Sequence, residues 1–112
     1  MSKIRIETFT SKKQRILAKR PICEICWEAR ATQLHHCIEG RMKGHPELDH
    51  EINLEPVCSK CHMEGKGDSP EHAMEFALRQ MQLGFDVLSW YENRVDLVVL
   101  RFPNLRAMVT EC

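Results

Sequence analysis

A small α+β domain pinned by a four-cysteine zinc shell is the fold that the sequence predicts, on three observations. The chain has 112 residues, the size of one domain with a modest core. Two C-x-x-C pairs, Cys23/Cys26 and Cys58/Cys61, lie 31 residues apart with two short apolar segments between them. Helix start and stop signals stand on either side of these pairs. An apolar share of 43% with 29% charged residues describes a packed domain rather than a disordered chain. The strongest apolar run, residues 97–100, is far shorter than the roughly 20 residues that span a bilayer. No internal repeat or second domain is visible.

Sixteen basic and sixteen acidic residues cancel, but they are not evenly spread. Residues 1–20 hold Lys3, Arg5, Lys12, Lys13, Arg15, Lys19 and Arg20 against Glu7 alone, a net of +6, and the other 92 residues therefore sum to −6. A basic arm on a mildly acidic body marks either a nucleic-acid contact or a solvated helix face. Within this arm Ile4 and Ile6 alternate with charge, as in a short strand or ordered segment. Ser11 and Gln14 form a capping-box signature for a helix over 12–19, which Pro21 ends. Lys12, Lys13 and Arg15 on that helix could lie along a phosphate backbone.

Residues 21–66 carry the chemistry. No apolar segment follows the charged amino terminus, which predicts no secretory leader and a cytoplasmic, reducing compartment. There, paired cysteines bind metal more readily than they form disulfides. Each C-x-x-C pair converges on one point, and two pairs supply the tetrahedral four-thiolate shell that Zn²⁺ accepts at about 2.3 Å. A redox pair is the weaker reading, because one pair would suffice and no βαβ pattern surrounds either. Cys37 and Cys112 are left over, and Cys37 is expected to be a small buried apolar residue rather than a ligand. Residues 31–34 read as a strand leading into His35 and His36, and residues 52–57 as a second strand. On a strand, consecutive side chains point to opposite faces, so this histidine pair can serve one site only from the strand's end. Two glycines, a proline and six charged residues between residues 37 and 52 predict an exposed loop.

Residues 67–112 read as scaffold of the same domain. Ser69 is an N-cap with Pro70 at the first helical position. Met74, Ala77, Leu78 and Met81 follow at helical spacing until Gly84, a packing face. Trp90 and Tyr91 extend that core, and residues 95–102 alternate as a strand.

In order, the chain presents Cys23-x-x-Cys26, His35-His36, Asn53-Leu54 and Cys58-x-x-Cys61-His62. Each piece alone is common, but the ordered set closely resembles the HNH endonuclease family in its four-cysteine, zinc-binding subclass. The resemblance covers residues 21–66, a little under half of the chain. It implies a treble-clef-like ββα-metal core, two antiparallel strands and a helix around one catalytic divalent ion. It further implies that His35 and His62 ligate that ion and that His36 is the general base. Asn53 would hold the His36 region by hydrogen bonding, and the four cysteines would bind a separate structural Zn²⁺. Arg41, in a Gly-Arg step similar to one common in the family, and Lys43 would contact DNA phosphates.

Two departures leave the catalytic metal open among Mg²⁺, Mn²⁺, Ni²⁺ and Zn²⁺. Many family members have Asp where this chain has His35, and imidazole ligands favour the later ions over Mg²⁺. Lys66 stands where the HNH bacteriocin nucleases carry a further histidine, with His45 and His50 as the remaining candidates for an accessory ligand.

The chemistry is coherent on its own terms. Phosphodiester hydrolysis needs a base for water, which an imidazole with an ordinary pKa near 6.5 provides. It also needs charge neutralisation at the leaving 3′ oxygen, which a divalent ion with open positions provides. The products would be 5′-phosphate and 3′-hydroxyl ends. About 40 residues follow the motif, too few for a separate sequence-reading module. Low intrinsic specificity is therefore expected, or targeting by a partner such as phage packaging or replication machinery. The resemblance implies a bacterial or bacteriophage source. Two alternatives stand beside it: a non-catalytic zinc module that binds DNA or protein, and a branch- or junction-specific nuclease. The phage resolvases of the latter kind carry Asp-His where this chain has His35-His36.

Overall fold

The structure is a computed structural model that describes residues 8–40, 46–93, 102 and 104–110. Helix α1 spans Phe9–Lys19, strand β1 Gln33–His36, β2 Leu54–Val57, α2 Ser59–Met63, α3 Pro70–Gln82, α4 Val87–Glu92 and α5 Leu105–Thr110. Two 3₁₀ turns, Pro46–Asp49 and Glu51–Asn53, precede β2. Among the described residues, five helices and one two-stranded antiparallel sheet make a small mixed domain, compatible with the α+β expectation. Among the described residues, no helix is long and apolar enough to cross a membrane.

Helix α1 begins earlier than the capping box suggested. Thr8 is the N-cap, its hydroxyl accepting the Ser11 N–H at 3.1 Å, so Ser11 lies inside the first turn. Only Ile16 on this helix is fully buried, against Leu34 and Leu54 of the sheet. After Pro21 the chain folds into a turn in which the Cys23 N–H reaches the Ala29 carbonyl at 2.8 Å. Trp27 closes it with its own N–H on the Cys23 carbonyl and a φ of 58°, a left-handed conformation costly for a large side chain. The Trp27 ring is 55% exposed, with the Arg79 guanidinium 5.0 Å from its centre.

Strand β1 starts at Gln33 rather than at 31. The Ala31 N–H is drawn back to the Pro21 carbonyl, and only from Thr32, whose N–H meets the Val57 carbonyl, does the chain face β2. Register then pairs Gln33 with Val57, Leu34 with Pro56, His35 with Glu55 and His36 with Leu54. Leu34 and His36 thus share the α1 face with Leu54, while His35 shares the opposite face with Glu55. All four residues of β2 are buried, Glu55 included.

The segment between the strands departs from the exposed loop expected of it. Cys37, Ile38, Leu48, Ile52 and Asn53 are all buried. Leu48 and Ile52 sit in the 3₁₀ turns and fold inward, so the polar composition of the segment hides two apolar anchors. Cys37 is buried, as expected.

Helix α3 follows its start and stop signals, but its buried face is turned from the expected stripe: Ala77 is buried, Met74 and Leu78 are half-buried and Met81 is exposed. The Ser69 hydroxyl accepts the His72 N–H at 3.1 Å, Pro70 is the first helical residue, and Gly84 turns the chain at φ 99°. Its inner face, Ala73, Phe76 and Ala77, packs with Ile38, Val87, Tyr91, Leu105 and Val109 into the largest core cluster. The expected strand over 95–102 lies outside the described residues except for Phe102, which is buried and donates its N–H to the Tyr91 hydroxyl. Ile4, Ile6 and Cys112 lie outside them as well.

Candidate metal centre and histidine cleft

The Cys23–Ala29 turn and the start of α2 bring the two C-x-x-C pairs together. The four sulfurs of Cys23, Cys26, Cys58 and Cys61 lie within 4.8 Å of one another, a geometry that suits a structural ion such as Zn²⁺. Cys58 is the N-cap of α2 and accepts the Cys61 N–H at 3.4 Å. Cys23 likewise accepts the Ile25 N–H at 3.5 Å. Backbone amides of Ala29 and Glu28 pull the Cys26 thiol down to about 6, and the Cys61 amide lowers Cys58. Cys61 goes the other way, pushed up to about 12 by burial and then by the neighbouring sulfurs. Crowded sulfurs thus oppose one another's ionisation, and a divalent cation bound among them would relieve that opposition.

The histidine pair ends β1 at the mouth of a cleft of about 550 Å³, lined by Phe9, Leu34, His35, His36, Gly40, His62 and Asp68. His35, His36 and His62 all reach it. His35 and His62 meet edge to face with ring centres 5.5 Å apart. His35 Nε2 lies 3.2 Å from the Gly67 carbonyl and 3.5 Å from Asp68 Oδ1. A Cβ at position 67 would lie 3.0 Å from the His35 ring and 3.1 Å from the end of Ile25, so a larger residue there would press on both side chains. Burial lowers the pKa of His35 and so favours the neutral, ligating form. His62 Nδ1 bonds the Gln33 side-chain oxygen. Because carbonyl and amide oxygens only accept, His35 keeps its lone pair on Nδ1 and His62 on Nε2.

His36 is held by two groups that sequence reasoning missed. Its Nε2 lies 2.7 Å from Asp49 Oδ1, and Phe9 stacks on its ring at 6.4 Å between centres with the planes 5° apart. A carboxylate accepts, so Nε2 carries the proton and Nδ1 keeps the lone pair. The Asp49 backbone is held in turn by Lys12, whose ammonium donates to its carbonyl at 2.7 Å.

Asn53 is wholly buried and acts on the backbone rather than on an imidazole. Its Oδ1 accepts from Ile38 and Glu39 N–H at 2.9 and 2.8 Å, and its Nδ2 donates to the Glu39 and Leu48 carbonyls at 2.7 and 2.9 Å. It therefore locks the chain immediately after His36 to the turn that carries Asp49.

Lys12 and Arg15 are engaged within the chain, the latter with Glu51 at 3.3 Å, so a phosphate would compete with these contacts. Lys13 is half-buried on the same helix. Arg41, Lys43 and His45 lie outside the described residues. His50 caps the second 3₁₀ turn, accepting the Ile52 N–H at 3.0 Å through Nδ1. Lys66 is exposed and pairs with Glu64 at 3.3 Å.

No protein-family model, curated protein or solved structure matches this chain.

Proposed function

We propose that the chain is a metal-dependent HNH endonuclease, with β1, β2 and α2 as the strands and helix of a ββα-metal core. One observation carries the reading: His35, His36 and His62 converge on a single cleft in which Asp49 holds His36 at 2.7 Å. His36 Nδ1 takes a proton from the water that attacks phosphorus, and Asp49 steadies the imidazolium that results. Asn53 keeps the segment after His36 in register with Asp49. Phe9 lies parallel to the imidazole of the base, with ring centres 6.4 Å apart. His35 Nδ1 and His62 Nε2 are the ligand atoms available for a divalent ion. Bound there, an ion would supply Lewis-acid charge for a phosphoryl oxygen and for the leaving 3′ oxygen, and the products would be 5′-phosphate and 3′-hydroxyl ends. DNA is the substrate by this reading, with a targeting protein such as phage packaging or replication machinery as its partner.

The test is plasmid cleavage by zinc-loaded protein in Mg²⁺, Mn²⁺, Ni²⁺ and Zn²⁺. Nicked or linear product is expected, with His36→Ala slower by about 10²–10⁴-fold. No product in any metal, or equal cutting by His36→Ala, overturns the reading. Branched and linear substrates compared side by side separate a junction-specific enzyme from a general one.

A non-catalytic zinc module is the second reading, and one observation favours it. Among the described residues, no third Cys, His, Asp or Glu joins His35 and His62 in a group with all ligand atoms within 4.8 Å.

A further inference from the structure

We infer that Cys37, Glu55 and His72 form a second metal site, apart from the four-cysteine shell and the histidine cleft, suited to a thiophilic divalent ion such as Zn²⁺. Three separate elements supply it: the residue after β1, the second residue of β2 and the first turn of α3. One ligand atom from each, the Cys37 sulfur, a Glu55 oxygen and a His72 ring nitrogen, lies within 4.8 Å of the other two. Cys37 and Glu55 have no solvent exposure, and the His72 side chain is 12% exposed.

A carboxylate with no access to water needs positive charge close by. Here both Glu55 oxygens point at His72 Nε2, at 2.9 and 2.7 Å. Arg79, the other cation nearby, stays 3.6 Å from Glu55 and makes its shorter contact, 3.1 Å, with Glu24. One sulfur, one imidazole nitrogen and one carboxylate form a borderline-soft donor set, which selects Zn²⁺, Co²⁺ or Cd²⁺ over Mg²⁺ or Ca²⁺. An ion that displaced the protons of Cys37 and His72 would meet a thiolate, a carboxylate and a neutral imidazole, −2 in all, which a divalent charge neutralises. The surroundings are apolar, since Ile38, Ala73 and Phe76 belong to the same core cluster as Cys37. An ion held there would clamp α3 to the sheet on the face that Glu55 shares with His35.

Zinc stoichiometry by native mass spectrometry tests the site in wild type, Cys37→Ala, His72→Gln and the double variant His35→Ala/His62→Ala. Wild type is expected to bind one more zinc than Cys37→Ala or His72→Gln, and the cleft double variant is expected to keep that ion. In the cobalt-loaded protein, sulfur-to-metal absorbance should fall by about one-fifth in Cys37→Ala, as five thiolate ligands become four. Circular dichroism checks the fold of each variant, and if Cys37→Ala does not fold, His72→Gln at the edge of the site decides alone. Unchanged stoichiometry in folded His72→Gln overturns the inference. So does loss of the extra ion in the cleft double variant, because the ion would then belong to the cleft.

Discussion

The cysteine shell and the histidine cleft share one two-stranded sheet, yet they are built on opposite principles. The shell is closed: four like ligands from two tight turns meet within 4.8 Å, and backbone amides point at the sulfurs. The cleft is open: three imidazoles line about 550 Å³, and each is steered by a distant partner, Gly67, Asp49 or Gln33. A closed set of four ligands leaves an ion no position for substrate, whereas an open set does. The difference teaches that a closed site and an open one can sit on the same sheet and be damaged separately.

Removing the metal from the shell should have the largest effect. Four-thiolate zinc contributes an apparent ~10–16 kcal/mol to small zinc domains, so chelation or Cys58→Ser should abolish the cooperative thermal transition seen by circular dichroism. Survival of that transition after chelation would remove the shell's supporting role and with it the contrast between the two sites.

Asn53→Ala comes next. It strips partners from two amide N–H groups and two carbonyls around a fully buried side chain, and should lower the free energy of urea unfolding by about 2–5 kcal/mol. A loss below about 1 kcal/mol would mean that the 38–39 and 48 segments hold together without it.

Asp49→Asn sharpens the contrast from the cleft side. It keeps the shape of the side chain but removes the charge facing His36, so cleavage should slow by about tenfold to a hundredfold while the melting temperature hardly moves. Equal losses of rate and stability would make Asp49 a structural residue.

The smallest effect lies away from both sites, in the clasp between α4 and α5. Arg106 grips Glu92 at 2.9 and 2.6 Å, and this contact lowers the carboxyl's pKa below its ordinary 4.5. A depressed carboxylate stabilises the fold above 4.5, and that contribution is lost as pH falls through its lowered value. Arg106→Ala should therefore reduce the melting temperature slightly at pH 7 and not at all once Glu92 is protonated, as paired melts across pH will show.

The shell and helices α1 and α3 were legible in the sequence because their signals are local, whereas the short α4 and α5 carried none that was read. A C-x-x-C pair declares its ligands within four residues, and Ser69-Pro70 declares the start of α3 within two. The local signal still misled at α1, where Thr8 and Ser11 both offered a hydroxyl and the earlier one caps the helix. What could not be read were partnerships across the loop. Asp49 reaches His36 over 13 residues and His72 reaches Glu55 over 17, and no periodicity connects such positions. Asn53 was visible as a hydrogen-bonding residue, but its choice of backbone over imidazole depends on Leu48 and Ile52 folding inward, which a charge-rich loop conceals.

Trp27 makes the knuckle optically addressable. The chain has two tryptophans: one is 55% exposed at the tip of the Cys23–Cys26 turn beneath the Arg79 guanidinium, and the other, Trp90, lies on α4 against the main core. Their emission should differ in colour, the wetter ring emitting further to the red. In a Trp90→Phe background, fluorescence would follow the loading of the shell alone, so that metal release and core melting can be timed independently in one cuvette.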